Sequence, residues 1–215
     1  MANYIRDIPF VQMRPNSAEC GAACLRMVYL YYGIDIPITE IWERIKWRDP
    51  ITHRENCQTY KMPLHAQSIG LFSVAVSCDS PLTLLDICRQ NDIIPIALYR
   101  PSDETQFAHF SVVVGENYRG VLINDPDCVP EKGNRLPVKT HEFVQRMRPL
   151  GISEMVTPNT FVLVANTEIP TVSCLGIGST TGKSVLLQLP ECLIAKSIRI
   201  LSPEYDEWFS SLIRT

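Results

Sequence analysis

Apolar positions along the chain switch between two periods, and the switches mark out the elements. Ala23, Met27, Leu30 and Tyr31 fall at i, i+4, i+7 and i+8, one helical stripe turned toward a core. Ser17 is placed to cap the start of this helix and Gly33 to end it. Ahead of it, Ile8 to Val11 predicts a short entering strand, followed by a Pro15-Asn16-Ser17 turn. A second helix is expected from Glu40 to Lys46, capped by Thr39 and broken at Asp49-Pro50, and residues 51–58 read as irregular. Lys61 to Ile69 predicts a third helix closed by Gly70, and Leu71 to Cys78 a strand. Pro81 to Gln90 predicts a fourth helix with Leu82, Leu85 and Cys88 inward, and Ile93 to Tyr99 a strand of β-branched character.

The next segment reads as a hairpin. His109-Phe110-Ser111-Val112-Val113-Val114-Gly115 and Val121-Leu122-Ile123-Asn124-Asp125 flank the turn Glu116 to Gly120, and Pro126 stops the second strand. A turn centred on Asn117 sets His109 opposite Asp125, on one face of the sheet. A slip of one residue would separate them. Pro130 to Pro137 reads as a loop, Thr140 to Met147 as a helix capped by Thr140, and Phe161 to Ala165 as the last strand of the main sheet. Beyond Asn166 the character changes, with Pro170, Gly176, Gly178 and Gly182 between short apolar runs. Tyr205, Trp208, Phe209 and Leu212 share one face of a terminal helix, expected to dock by packing. The chain thus divides into a main domain over 1–165 and a C-terminal extension over 166–215 of mixed strands and a helix.

Composition narrows the class. The chain has 215 residues, 46% hydrophobic and 20% charged, with a net charge of −3, which fits a globular protein and not a phosphate-binding surface. Nucleic acid is therefore not expected as a partner. The N-terminus lacks an apolar signal core and no apolar run reaches the length of a membrane span, so the expected compartment is the cytoplasm. The 8 cysteines, without a secretion signal, are expected as free thiols. His53, Cys57 and His65 lack the framing of a structural zinc site and read better as surface histidines and a half-buried cysteine, so no metal is expected. Gly176 to Ser184 imitates a phosphate loop, but Ile177 stands where the first glycine is needed and Pro190 spoils the following helix. A polar loop between strands is the better account, and no cofactor is expected.

The remaining chemistry centres on Glu19-Cys20-Gly21-Ala22-Ala23-Cys24. A cysteine at a helix mouth is either a small buried hydrophobe or a thiolate favoured by the helix N-terminus. Thiol catalysis needs a nucleophile, a base, a group that orients the base, and oxyanion donors. Cys20, His109 and Asp125 fill the first three roles, and the Gln12 side chain with the Cys20 N–H fills the last. Gly21 allows close backbone approach, and Cys24, one turn on, is expected to be packed and inert.

In this order the residues resemble the C39-type, papain-like cysteine peptidases, which include the leader-cleaving domains of bacterial bacteriocin exporters. Glu19-Cys20-Gly21-Ala22-Ala23-Cys24-Leu25 with Tyr31-Tyr32-Gly33 is similar to the family's Asp-Cys-Gly-Ala-Ala-Cys-Leu segment and its Tyr-Tyr-Gly end. His109-Phe110-Ser111-Val112-Val113 resembles its His-Phe-x-Val-Val strand, and Asp125-Pro126 its Asp-Pro. The resemblance implies an α+β papain-like fold, a helical half with Cys20 against an antiparallel sheet with His109 and Asp125. It implies a cysteine peptidase without metal or cofactor, acting on a peptide or protein. It carries over Cys20 as nucleophile, His109 as general base, Asp125 as orienting acid and Gln12 as oxyanion donor. Two departures stand out: Gln12 precedes Cys20 by a longer gap than usual, and Glu19 replaces an Asp, where its charge would oppose the thiolate. No transporter domains follow, so export-coupled cleavage is not implied. The same site would also serve a glutamine deamidase or an acyltransferase acting on a partner protein, and a silent module would keep only the peptide cleft.

Overall fold

The computed structural model describes residues 4–48, 53, 55–102, 108–148, 159–166 and 201, and the backbone of 171–177, 184–190 and 198–200. An antiparallel sheet forms its middle layer. The strands are β1 (Tyr4–Ile5), β4 (Phe72–Cys78), β5 (Ile94–Tyr99), β6 (His109–Asn117), β7 (Gly120–Asn124), β8 (Leu136–Val138), β9 (Thr160–Ala165) and β12 (Ile198–Ile200). Their order is β12-β4-β9-β5-β6-β7-β8, and β1 pairs with β6 beyond the end of β5. Helices α1 (Cys20–Tyr31), α2 (Ile38–Ile45) and α3 (Lys61–Ser68) precede β4; α4 (Pro81–Gln90) lies between β4 and β5, and α5 (Pro130–Gly133) and α6 (Thr140–Arg146) come later. Among the described residues no helix is long and apolar enough to cross a membrane.

The two faces of the sheet carry separate cores, because successive side chains of a strand point to opposite sides. On one face Phe110, Val112 and Val114 of β6 and Ile94, Ile96 and Leu98 of β5 pack under α1, with Leu25, Met27 and Val28, and under Ile41 and Met62. On the other face Val113, Ala97, Tyr99, Phe161 and Leu163 pack against Leu84, Leu85, Cys88, Phe143 and Met147. β9 is buried at every position because it lies inside the sheet, between β4 and β5, with helices over both faces.

α1 is buried nearly all round rather than along one stripe: Gly21 to Leu25 and Met27 to Tyr29 are all buried, which marks a central helix. Each fully buried Leu or Met there stabilises the fold by about 1.5–3 kcal/mol. α4 matches its predicted span; Ser80 accepts the Thr83 N–H at its start, and Pro81 occupies the first turn.

Several expectations are corrected. Residues Ile8 to Val11 form no strand, and the entering strand is instead β1, where Gly115 lets the Tyr4 carbonyl approach to a distance that a Cβ would forbid. Helix α2 starts at Ile38 with Pro37 as its cap, which places Thr39 inside the first turn, and Lys139 rather than Thr140 precedes α6. Part of the stretch read as irregular forms β3 (Glu55–Cys57), paired with β2 (Lys46–Arg48). Polar residues alternate with none of the apolar signal there, because Lys46 faces Glu43 and Glu55 at the surface. The loop before α6 contains α5 and β8. Phe161 to Ala165 is not the last strand, since β12 pairs with β4 and extends the sheet. β10 (Thr171–Ile177) and β11 (Ser184–Pro190) form a hairpin, so the residue after the Gly-rich loop starts a strand, where a phosphate loop needs a helix. The aromatic stripe Tyr205 to Leu212 lies outside the described residues.

Candidate active site

The chain reaches Cys20 through a tight turn. Ser17 N–H donates to the Arg14 carbonyl at 3.2 Å, Pro15 occupies the first central position, and Asn16 takes φ 59° at the second. Proline followed by a left-handed Asn is the arrangement a type II turn favours. The turn absorbs the extra residues between Gln12 and Cys20. It is tied down by Arg14, whose Nε donates to Glu19 Oε2 at 2.9 Å while Nη2 donates to Oε1. The Glu19 side chain is buried, and the Arg14 hydrogen bonds hold its carboxyl below the usual range against the cost of burial. The charge expected to oppose the thiolate is therefore paired with a guanidinium. Ser17 does not cap α1; its Oγ lies 2.8 Å from the Arg14 carbonyl and 3.2 Å from Glu19 Oε2.

Cys20 is the first residue of α1, half-buried. The Ala23 N–H donates to the Glu19 carbonyl at 2.9 Å, so the N–H groups of Cys20, Gly21 and Ala22 lie ahead of the helical ladder. The thiol thus stands at the positive end of the helix dipole. His109 opens β6, with 13% of its side chain exposed. Its Nε2 lies 2.8 Å from Asp125 Oδ1, and Cys20 stands near enough to the ring to act on its charge. Burial alone would lower the His109 pKa, but the bonds to Asp125 and Cys20, and their charges, raise it to about 10. Burial raises the Asp125 pKa, but the bonds from His109, the Asp127 N–H and Tyr99, with the His109 charge, bring it below the usual value. The structure thus brings Cys20, His109 and Asp125 together.

The hairpin achieves this by a different register from the expected one. The turn is Asn117-Tyr118-Arg119-Gly120, and the ladder pairs Asn117 with Gly120, Glu116 with Val121 and Gly115 with Leu122. A bulge between Val113 and Gly115 then shifts it to Val113 with Ile123 and Val112 with Asn124. Continued by one step, Asp125 falls opposite Ser111 rather than His109. The displacement from the expected partner is two residues, and an even slip preserves the face.

Gln12 is exposed, and the next residue, Met13, donates its N–H to the Pro126 carbonyl at 2.9 Å. The segment that carries Gln12 therefore runs along the turn after Asp125. Gly21 does provide a close approach, but to Cys57: a Cβ at Gly21 would stand 2.5 Å from Cys57 Sγ and 3.2 Å from Met62 Sδ. Cys24 is fully buried, its Sγ donates to the Phe110 carbonyl at 3.3 Å, and burial raises its thiol pKa strongly. The cysteines with described side chains, Cys20, Cys24, Cys57, Cys78, Cys88 and Cys128, are free thiols. His65 is buried rather than at the surface, because its ring stacks on Tyr29 and its Nδ1 is engaged by the Tyr29 hydroxyl at 2.8 Å, and among the described residues no three metal-ligating side chains gather.

Two partners of His109 and Asp125 were not anticipated. Tyr99 donates its hydroxyl to Asp125 Oδ2 at 3.0 Å, and Ser111 Oγ lies 3.3 Å from His109 Nε2. Ser111 shares the His109 face by simple alternation. Tyr99 could be recognised only once β5 is set beside β6 with Tyr99 directly across from His109.

The sequence profile of the peptidase C39 family matches residues 9–146. The chain belongs to the peptidase C39 family. Among solved structures, it resembles the peptidase domain of Streptococcus ComA, a bi-functional ABC transporter involved in a quorum-sensing pathway, with a TM-score of 0.54 and 18% identity over 74% of this chain and 99% of that one. It also resembles a double-glycine motif protease from an AMS/PCAT transporter, solved with a leader peptide (TM-score 0.52, 19% identity, 78% and 100% covered). A third neighbour is a Bacillus anthracis protein described as a C39-like peptidase (TM-score 0.52, 14% identity, 77% and 98% covered). No curated protein matches the sequence at a significant level. The fold of this C39 member is α+β and papain-like: helices α1 to α3 form the half that carries Cys20, and the antiparallel sheet forms the half that carries His109 and Asp125.

Proposed function

We propose that this protein is an active cysteine peptidase that hydrolyses a peptide bond of a peptide or protein through Cys20, His109 and Asp125. The observation that carries the reading is the His109 imidazole, held 2.8 Å from the Asp125 carboxylate and raised in pKa by both Asp125 and Cys20. In the first step the Cys20 thiolate attacks the scissile carbonyl carbon, and the carbonyl electrons move to the oxygen. The N–H of Cys20 and the amide of Gln12 are assigned as donors to that oxyanion. Collapse expels the amine, which takes its proton from the His109 imidazolium and leaves a thioester on Cys20. Neutral His109 then takes a proton from water as the oxygen attacks the thioester. The acid product leaves and the thiolate–imidazolium pair is restored. Asp125 keeps Nε2 protonated and Nδ1 directed at the sulfur throughout.

Intact-mass analysis of candidate peptides with wild-type protein and Cys20→Ala tests the reading. Fragments that depend on Cys20 support it. A gain of ~1 Da on glutamine, or transfer to an added amine, would assign the same acyl-enzyme to deamidation or acyl transfer instead. Failure of an electrophilic peptide probe to label Cys20 at neutral pH would leave a silent peptide-binding module. The acyl-enzyme step is common to the three reactions, and only the leaving group and the acceptor distinguish them.

A further inference from the structure

We infer that Tyr99 is a positioning residue of this site, fixing the Asp125 carboxylate so that Oδ1 faces His109; the inference rests on the proposed roles of Cys20, His109 and Asp125. Tyr99 is 1% exposed, and its hydroxyl donates to Asp125 Oδ2 at 3.0 Å. A buried carboxylate needs donors on both oxygens. Oδ1 has two, His109 Nε2 at 2.8 Å and the Asp127 N–H at 3.1 Å. Oδ2 has the phenol. Without it, Oδ2 would be an uncompensated buried acceptor, and rotation of the carboxylate toward other donors would cost the Oδ1–His109 bond.

The phenol is well suited to this task. Burial, then the neighbouring Asp125 charge, raise its pKa, so it remains a donor at all working pH values. Its ring is clamped: it is the direct cross-strand partner of His109, with ring centroids 6.0 Å apart, and it packs on Phe143 at 6.2 Å. Tyr99 therefore connects the opposite-face core to the carboxylate. The other titratable groups facing the pair are Cys20 and Cys24 on α1 and Asp127 and Cys128 in the turn after β7.

The test is alkylation of Cys20 by iodoacetamide as a function of pH, in wild type, Tyr99→Phe, Asp125→Asn and the double variant, with Cys20→Ala as the blank. The assay reads the thiolate–imidazolium pair directly and needs no peptide substrate. A protein that alkylates normally but cleaves nothing would overturn the peptidase reading and leave the role of Tyr99 measurable. Tyr99→Phe keeps the ring and its packing. The expected result is about tenfold slower alkylation near pH 5, where reaction depends on the ion pair, the size of one hydrogen bond to a charged group. Near pH 9.5 the rate should equal wild type. In the Asp125→Asn background the same substitution should add nothing, because Tyr99 acts through that carboxylate. Superimposable pH profiles for wild type and Tyr99→Phe, or an equal loss at all pH values with and without Asp125, would overturn the inference. If Tyr99→Phe folds poorly, the NMR titration of His109 in folded Tyr99→Leu, which also lacks a donor, decides, a wild-type midpoint being the negative result.

Discussion

His109 and Asp125 share a face because Val114 has no partner on β7. The ladder nearest the turn, if continued without interruption, would set Asp125 opposite Val112, whose side chain lies in the core under α1. The bulge between Val113 and Gly115 changes the parity and moves Asp125 to the face of Ser111 and His109. The bulged residue is itself held, its carbonyl accepting the Arg6 N–H at 2.7 Å. The pairing of His109 with Asp125 is thus set by an irregularity some distance from it.

Asp125→Asn should lower the cleavage rate by about 10²–10⁴-fold with the fold retained. It should also change how stability depends on pH. The raised His109 pKa contributes stability fully below 6.5, which is lost as pH rises through about 10. The lowered Asp125 pKa contributes stability above 3.8, which is lost as pH falls through its depressed value. Thermal melts from pH 4 to 10 should show the largest gap between wild type and Asp125→Asn at pH 4 to 6.5, and a narrowing gap above. A gap that is constant to pH 10 would mean that His109 is not the charged partner.

Cys20 and Cys24 should separate cleanly. Iodoacetamide on the native protein should label Cys20 and spare Cys24, which is buried and bonded to the Phe110 carbonyl. Cys20→Ala should reduce turnover by at least about 10⁴-fold, and Cys24→Ala should cost about 1 kcal/mol of stability with the rate little changed. Peptide mapping after alkylation and steady-state rates check both.

Gly21 and Cys57 should show coupling. Alanine normally favours a helix over glycine by about 1 kcal/mol. At position 21 the added Cβ meets Cys57 Sγ at 2.5 Å, so Gly21→Ala should instead destabilise, by about 1–3 kcal/mol. In a Cys57→Ala background it should be close to neutral. Denaturant unfolding of the four proteins of the cycle measures the difference, and additive effects would exclude the contact.

Arg14→Ala should leave the buried Glu19 carboxylate without its guanidinium and destabilise by about 1–3 kcal/mol. Glu19→Gln should cost less, since it removes the buried charge together with the pair. Thermal melts rank the two, and the reverse order would show that the pair at the turn is not structural.

What could be read from the sequence follows from where its information is local. The span of α4 is legible to the residue because Pro81 and the spacing of Leu85 and Cys88 lie within one helix, although Leu84 rather than Leu82 is the third residue turned inward. Cys20 at the start of α1 is legible for the same reason. The face shared by His109 and Asp125 was also legible, but its register was not, since neither the turn position nor the bulge has a local apolar signature. β3 was missed because a short polar strand at the surface shows no alternation, and β8 because three residues centred on Pro137 carry no strand period. The order β4-β9-β5 and the approach of Tyr99 to Asp125 depend on pairing between distant segments, which no local period encodes.

The strand Ile198–Ile200 has a consequence for the molecule in solution. It occupies the outer side of β4, opposite Val76, Ser77 and Cys78, and is itself only 3 residues long with Arg199 at its centre. At the far rim β8 is equally short and carries Pro137. Both rims thus end in strands too brief or too poor in donors to template another chain. A fragment stopped at Ala165 would uncover the side of β4 that β12 now pairs. It would trade a self-contained sheet for one prone to edge-to-edge association.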